Sequence, residues 1–268
     1  MQWREWREYF EANARRPLPP CDACDLPAAW RAPIVRSLAR FQLGESGEGR
    51  IARDIWAVAL DGIDDDYRVA LGLFVREEGR HARILAEHVR ALGGRLLTKS
   101  WTERAFRRVR RAAGVREKLA VLLIAEVVGI AFYGAVARRL PRGALRAALE
   151  DICRDEVAHL AFHRDFFRTQ TRAPAARAAF AFACAVGGAI AGAVVLFDHR
   201  ATLRALGIDR DDLAASMHEL LGSTLRSVDA RCTPSVRERL GAGAPRQHAT
   251  RCCSSRPALA VLPARPSA

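Results

Sequence analysis

Two short stretches of the chain repeat the same chemistry. Arg76-Glu77-Glu78-Gly79-Arg80-His81 and Arg154-Asp155-Glu156-Val157-Ala158-His159 both read Arg-acid-Glu-x-x-His, 78 residues apart. In a helix, residues i and i+3 share a face, so Glu78 points with His81 and Glu156 with His159. The neighbours on those faces are apolar: Leu71, Val75 and Leu85 in the first, Ile152, Leu160 and Phe167 in the second. The same shift lays Glu48 on Glu126, so each copy has a Glu, thirty residues, and then Glu-x-x-His. Glu126 sits inside Val121-Leu122-Leu123-Ile124-Ala125 and Val127-Val128-Gly129-Ile130. A carboxylate there carries a large desolvation cost unless it is paired or bound to a cation.

Arg76 and Arg154 could pair one such carboxylate each. Four carboxylates and two imidazoles converging on one core are harder to explain that way, because four anions repel and raise one another's pKa. Two divalent cations neutralise them. The expected metal ligands are therefore Glu48, Glu78, His81, Glu126, Glu156 and His159. In this arrangement Glu78 and Glu156 bridge the two metals. His81, His159, Glu48 and Glu126 each hold one. Carboxylate with imidazole suits iron, with manganese the alternative, and no thiolate is required.

Four helices must carry these groups. A helix is expected from Pro33 to about Leu60, and a second from Asp64–Asp66, acidic at its start as the helix dipole prefers, to the stop at Gly93-Gly94. A crossover of about twenty residues follows, holding a short helix opened by Ser100-x-x-Glu103 as a capping box. A third helix covers 115–139, Pro141 and Gly143 turn the chain, and a fourth covers 143–170. The pattern is all-α: two helical hairpins joined by one long crossover, with no sheet. An amphipathic helix at 2–16 and a proline-rich linker precede it. Pro174 opens a fifth helix to about Leu206, and a sixth spans 209–229. The expected organisation is thus 1–30 helix and linker, 31–171 bundle, 172–230 additional C-terminal helices packing on it, and 231–268 a basic tail without period, read as disordered.

These residues make the chain resemble the ferritin-like superfamily, and most nearly the bacterial ferritin-like domain proteins and rubrerythrin-related di-iron proteins, over about 34–170. The resemblance implies a ferritin-like four-helix bundle with a di-iron site at the six residues above. It also implies reaction with O2 or peroxide: an oxygenase or oxidase on a small-molecule or lipid-like substrate, in which carboxylate-bridged iron cycles between diferrous and diferric states. Phe41-Gln42-Leu43-Gly44-Glu45-Ser46 resembles the Gly-Glu-Ser of rubrerythrins, which would make Glu45 the first-helix ligand. The duplication prefers Glu48, with Glu45 as alternate or supporting residue. The further third-helix Glu of rubrerythrins is absent, since Gly129 follows Glu126 by three, and there is no rubredoxin-type cysteine module.

Other residues are weaker candidates. Tyr133, two turns past Glu126, either lines a substrate path or packs the core. His88 and His163 read as surface or supporting residues, and Asp54 and Asp155 as partners for imidazole N–H groups. The rival functions are ferroxidase or iron binding without an organic substrate, and a non-enzymatic helical adaptor or membrane-associated protein. An electron-donor protein and a homodimer are both compatible with the sequence.

Composition bounds the partners. The chain has 268 residues, is half hydrophobic and carries a net charge of +13, nearly all of it arginine. The tail holds seven arginines against Glu238. Nucleic acid is an unfavoured partner, although Arg104–Arg111 is strongly basic. Seven cysteines in no framework, with no signal peptide, point to a reducing cytoplasmic setting. Cys21-Asp22-Ala23-Cys24 is a lone CxxC without a second pair. Ala178–Phe197 has no charge over twenty residues and meets the length of a membrane span. Burial against the bundle is the favoured reading, because alanine and glycine give a weak insertion signal.

Overall fold

The structure, a computed structural model, describes residues 2–22 and 26–229. The 231–268 tail and Cys24 lie outside the described residues. Among the described residues there are helices and no strands. Helix α1 (Gln2–Asn13) places Trp3, Trp6 and Phe10 on one face, and all three are buried. Their rings pack against Tyr67, Phe74 and Phe162, and the two indoles donate to Gly62 O at 2.7 Å and Asp165 Oδ2 at 2.9 Å. The N-terminal segment is thereby part of the bundle's core and ends directly over the Glu-x-x-His elements.

Helix α2 (Ala28–Glu45) is shorter than the sequence suggests. Gly44, Gly47 and Gly49 fall within six residues, and glycine is costly in a helix interior. Ser46 turns its hydroxyl back to Leu43 O, closing the helix. The chain then passes through a 3-10 turn (Glu48–Arg50), the single turn α3 (Ile51–Asp54) and a second 3-10 turn (Ile55–Ala57). Helix α4 (Asp65–Ala91) starts where expected, its Asp64 cap accepting from Tyr67 N at 2.9 Å, and ends before Gly93 at φ +78°. In the crossover, α5 (Trp101–Ala112) does form, but Ser100 gives no side-chain cap; its hydroxyl bonds Thr102 instead.

Helices α6 (Val115–Arg139) and α7 (Ala144–Gln170) form the second hairpin, as α2 and α4 form the first. Helix α8 (Pro174–Asp198) packs on α6 and on α10 (Arg210–Asp229), where Gly187 and Gly188 allow close approach to Ile124 and Leu221. The expectation that this helix is buried holds for one face only. Phe180, Cys184, Ala191 and Val195 point inward, whereas Phe182 and Ile190 are exposed.

The predicted fifth helix breaks at His199, before α9 (Arg200–Ala205). His199 is buried between the rings of Phe41 and Phe132, 4.9 and 4.7 Å away. Thr202 donates to Pro33 O, so its oxygen accepts from Ser37, and Ser37 in turn accepts Nδ1–H of a neutral His199 at 2.7 Å. Burial, then the charge of Arg40 against the weaker opposing pull of Asp198, holds this imidazole down at about 4. The unfolded chain takes up a proton near pH 6.5, before the folded one does. Stability is therefore complete above that value and is lost as pH falls toward 4. Urea unfolding should show a loss of about 2 kcal/mol between pH 7.5 and 5 from this group. His199→Asn, which keeps an N–H for Ser37, should flatten that slope; an unchanged slope would refute the assignment.

Candidate metal centre

Helices α4 and α7 present their Glu-x-x-His faces to each other. One ligand atom from each of Glu78, His81, Glu156 and His159 lies within 4.8 Å of every other, and all four residues are buried. His159 Nδ1 is 2.8 Å from Glu78 Oε1 and 3.3 Å from Glu156 Oε2, and His81 Nδ1 is 3.3 Å from Glu156 Oε1. Helix α6 adds Glu126, whose Oε2 is 3.8 Å from His159 Nδ1. The last residue of α2, Glu45, accepts from the Tyr133 hydroxyl at 2.8 Å. It lines the same space as Glu78, Glu126 and Glu156.

The imidazoles are held from behind. His81 Nε2 lies 3.1 Å from Asp155, and His159 Nε2 lies 3.1 Å from Glu77. Each acid is the residue preceding the Glu of the other copy's Glu-x-x-His, so the two motifs brace each other's histidine. A single cation spans the braces: Arg16 Nη2 is 2.6 Å from both Glu77 Oε1 and Asp155 Oδ2. Arg80 adds bonds to Asp155 at 3.3 Å, Asp151 at 2.9 Å and Pro17 O at 3.1 Å. With Nε2 so engaged, Nδ1 of each ring is turned to the cluster.

The electrostatics are those of an overloaded carboxylate site. Burial, then the charges of Glu156 and Glu78, pushes Glu126 well above the ordinary carboxylate range. Burial, then Glu78 and Glu156, does the same to Glu45. Burial acts on Glu156 in the same sense, but hydrogen bonds from Glu126, His159 and His81 hold it well below that range. For His81, burial opposes the charge while bonds to Asp155 and Glu156 prevail, lifting it to about 9. Glu77 is desolvated too, yet the bond and charge of His159, with His81 and Arg16, bring it to about 2.

The donor set fits metal. Glu78 Oε1 and His81 Nδ1 are buried without an aligned hydrogen bond although cluster atoms lie within 3.3 Å of each. Buried ligand atoms left unsatisfied inside a converging carboxylate–imidazole cluster are what a cation would satisfy.

Five of the six expected ligand residues are thus gathered: Glu78, His81, Glu126, Glu156 and His159. Glu48 belongs to the 3-10 turn beyond the end of α2, and its side chain lies outside the described residues. Of the expected imidazole partners, Asp155 is one; Asp54 instead bonds Lys118 at 2.7 Å. Arg76 is exposed and Arg154 pairs with Asp151, so neither takes the role of neutralising the core. Glu77, Arg16 and Arg80 escaped the sequence reading. His88 and His163 are buried rather than superficial: His88 faces Cys21 Sγ at 3.4 Å, and His163 Nε2 is 3.6 Å from Glu126. Tyr133 is fully buried, and burial, then Glu45, raises its hydroxyl well above the usual value.

A cavity of about 160 Å³ reaches the carboxylates from the side of α2, α6 and α8. Its walls near the cluster are Leu122, Ala125, Gly129, Ala191, Val194 and Val195. Arg40, Thr102, Glu103, Asp198 and His199 give it a polar end.

Such a bundle, with carboxylates and histidines converging between its hairpins, has the architecture of the ferritin-like helical proteins. No protein-family model and no curated protein matches the chain. A solved structure does: protein 19 with aldehyde deformylating oxidase activity from Synechococcus, with a TM-score of 0.62 and 24% identity, over 81% of this chain and 97% of that one. At that identity the likeness shows the fold.

Proposed function

We propose that this protein is an O2- or peroxide-activating di-iron oxidoreductase acting on a small apolar or lipid-like substrate. The observation that carries the reading is the position of the cluster. Buried carboxylates line an apolar cavity with two imidazoles among them, their ligand atoms converging within 4.8 Å and Glu78 Oε1 and His81 Nδ1 left without an aligned hydrogen bond. Glu78, His81, Glu156 and His159, with Glu126 and Glu45, are the residues that would hold two iron ions. Glu45 takes the first-helix role because α2 ends on it and Tyr133 orients it. When bound, the irons would supply the electrons that reduce dioxygen or peroxide.

The protein's own groups do the rest. Glu77 and Asp155 fix the two rings with Nδ1 inward, and Arg16 bridges both acids and holds them in place. Tyr133 holds its hydroxyl proton at Glu45 Oε1. The walls from α6 and α8 exclude water from the reacting end, which strengthens every charge interaction there. The polar end suits a substrate with one polar head and an aliphatic body. The activity named for the Synechococcus neighbour acts on an aldehyde, so an aldehyde with an aliphatic body is the first substrate to assay.

The test is ferrous loading followed by a single aerobic turnover, read by absorbance. An oxo-bridged diferric band is expected, with faster decay of the reduced state when aldehyde is present. No band in a protein that has bound iron would refute oxygen activation and leave iron binding without organic substrate.

A further inference from the structure

We infer that α5 and the outward face of α8 form a docking surface for an anionic lipid bilayer, beside the cavity that both helices help to line. Helix α8 is long and apolar enough to cross a membrane, yet it packs on α6 and α10 along one side, so a span is not what the fold makes of it. Its other side is apolar and open: Phe182 is 73% exposed, Ile190 61% and Phe197 55%. On a helix these positions fall within one quarter-turn, with Val186 between them, forming a continuous stripe. Isolated exposed apolar residues are ordinary; a stripe of them along a helix without charge marks an interaction surface.

The second element is α5. Its sequence carries five arginines (Arg104, Arg107, Arg108, Arg110, Arg111) against Glu103 alone, with apolar Trp101, Ala105, Phe106 and Val109 interleaved at helical spacing. A basic amphipathic helix of this kind suits the headgroup layer of a membrane. Trp101 is half exposed while its indole donates to Asp198 at 3.1 Å, so α5 begins where α8 ends. Arg200, exposed just past the stripe, lies over Phe197 with its guanidinium 4.4 Å from the ring centroid, a cation poised at the edge of an apolar face.

Charge selects the occupant. A second copy would bring two strongly basic surfaces together, and a chain of net charge +13 repels itself. A nucleic acid would use the arginines but leave the aliphatic stripe bare. An anionic leaflet satisfies both, arginine at the phosphates and Phe182, Ile190 and Phe197 beneath them. Thr102 of α5 and Val194 and Asp198 of α8 line the cavity, so docking would bring the cavity close to the headgroup layer, within reach of an amphiphile leaving the bilayer. The binding itself needs no iron and stands whether or not the oxidative reading holds.

Sedimentation of the full chain with vesicles tests it. Binding is expected to vesicles of equal parts phosphatidylcholine and phosphatidylglycerol, to weaken as salt is raised, and to be slight with phosphatidylcholine alone. Arg104→Gln with Arg108→Gln should weaken partitioning by roughly thirtyfold, about fivefold for each arginine charge removed. Phe182→Asp with Ile190→Asp should abolish binding with an unchanged thermal midpoint, since both side chains are exposed. Binding that persists undiminished in both variants comes from elsewhere, such as the basic 231–268 stretch, and overturns the inference. So does a chain that ignores vesicles and elutes as a dimer split by the Phe182 and Ile190 changes, because then a second copy covers the face.

Discussion

Replacing Glu78 and Glu156 together by alanine is expected to strip the protein of metal while leaving the metal-free chain as stable as before, or more stable. Both side chains are almost fully buried, and between them they touch both imidazoles. If the cluster were an ion-pair core, removing these anions would leave His81 and His159 as uncompensated buried charges, a loss of about 3–5 kcal/mol. In a metal site that loss is offset, because Asp155 and Glu77 still hold the two imidazoles and the two glutamates repel Glu126 and Glu45, which burial and their neighbours already push toward protonation. Iron content should fall from about two per chain to below about one, the ligand count of a two-Glu, two-Glu-x-x-His site. Chelation of the wild type should lower its stability by about 2.7 kcal/mol if iron was present at a hundredfold excess over its dissociation constant. For a chain of this size that is about 5–10 °C in thermal midpoint. The double variant should show no such response. A variant that unfolds more readily than metal-free wild type would mean that the carboxylates are structural.

The parts of this site that were legible in the sequence are those written locally. Glu-x-x-His is a spacing on one helix face, and its repetition at a fixed offset with matched flanks exposes a duplicated hairpin, so Glu78, His81, Glu156 and His159 could be read directly. Glu126 stood out because its flanks are too apolar for an unpaired carboxylate. The residue that the first helix brings to the cavity was less legible, because the duplication is imperfect. Glycines at 44, 47 and 49 end α2 three residues before the position that symmetry selects, and the helix terminus puts Glu45 at the cluster. Arg16 had no local signature at all, since it meets Glu77 and Asp155 across 61 and 139 residues of chain. A trace of it was nonetheless present. Both motifs carry an extra acid before the ligand glutamate, and two more buried carboxylates require a cation from somewhere. Helix α8 was misjudged by half, because hydropathy measures what a helix could bury and not how many neighbours exist to cover it.

Arg16 offers a sharp test of how the cluster would hold metal. Arg16→Met keeps length and apolar contact but removes the one charge that bridges the two braces. Stability should fall by about 3 kcal/mol, as expected when buried carboxylates lose a partner, moderated here because the Arg16 side chain is 31% exposed. The consequence for metal should be unequal. Asp155 keeps Arg80 at 3.3 Å, whereas the described partners of Glu77 reduce to His159 alone. The His159 side of the site therefore loses the group that fixes its ring, and the His81 side does not. Weakened support of a ligand histidine costs about 10–100-fold in metal affinity. A stepwise cobalt titration followed by absorbance should show two binding events of similar strength in the wild type and two well-separated ones in Arg16→Met. Arg16→Lys, which restores a point charge but not the planar fork, should bring them partly back together. If Arg16→Met loses stability while both affinities stay equal and unchanged, Arg16 is only packing the N-terminal segment onto the bundle. The crossed bracing of the two histidines would then be a consequence of the fold rather than part of how it grips metal.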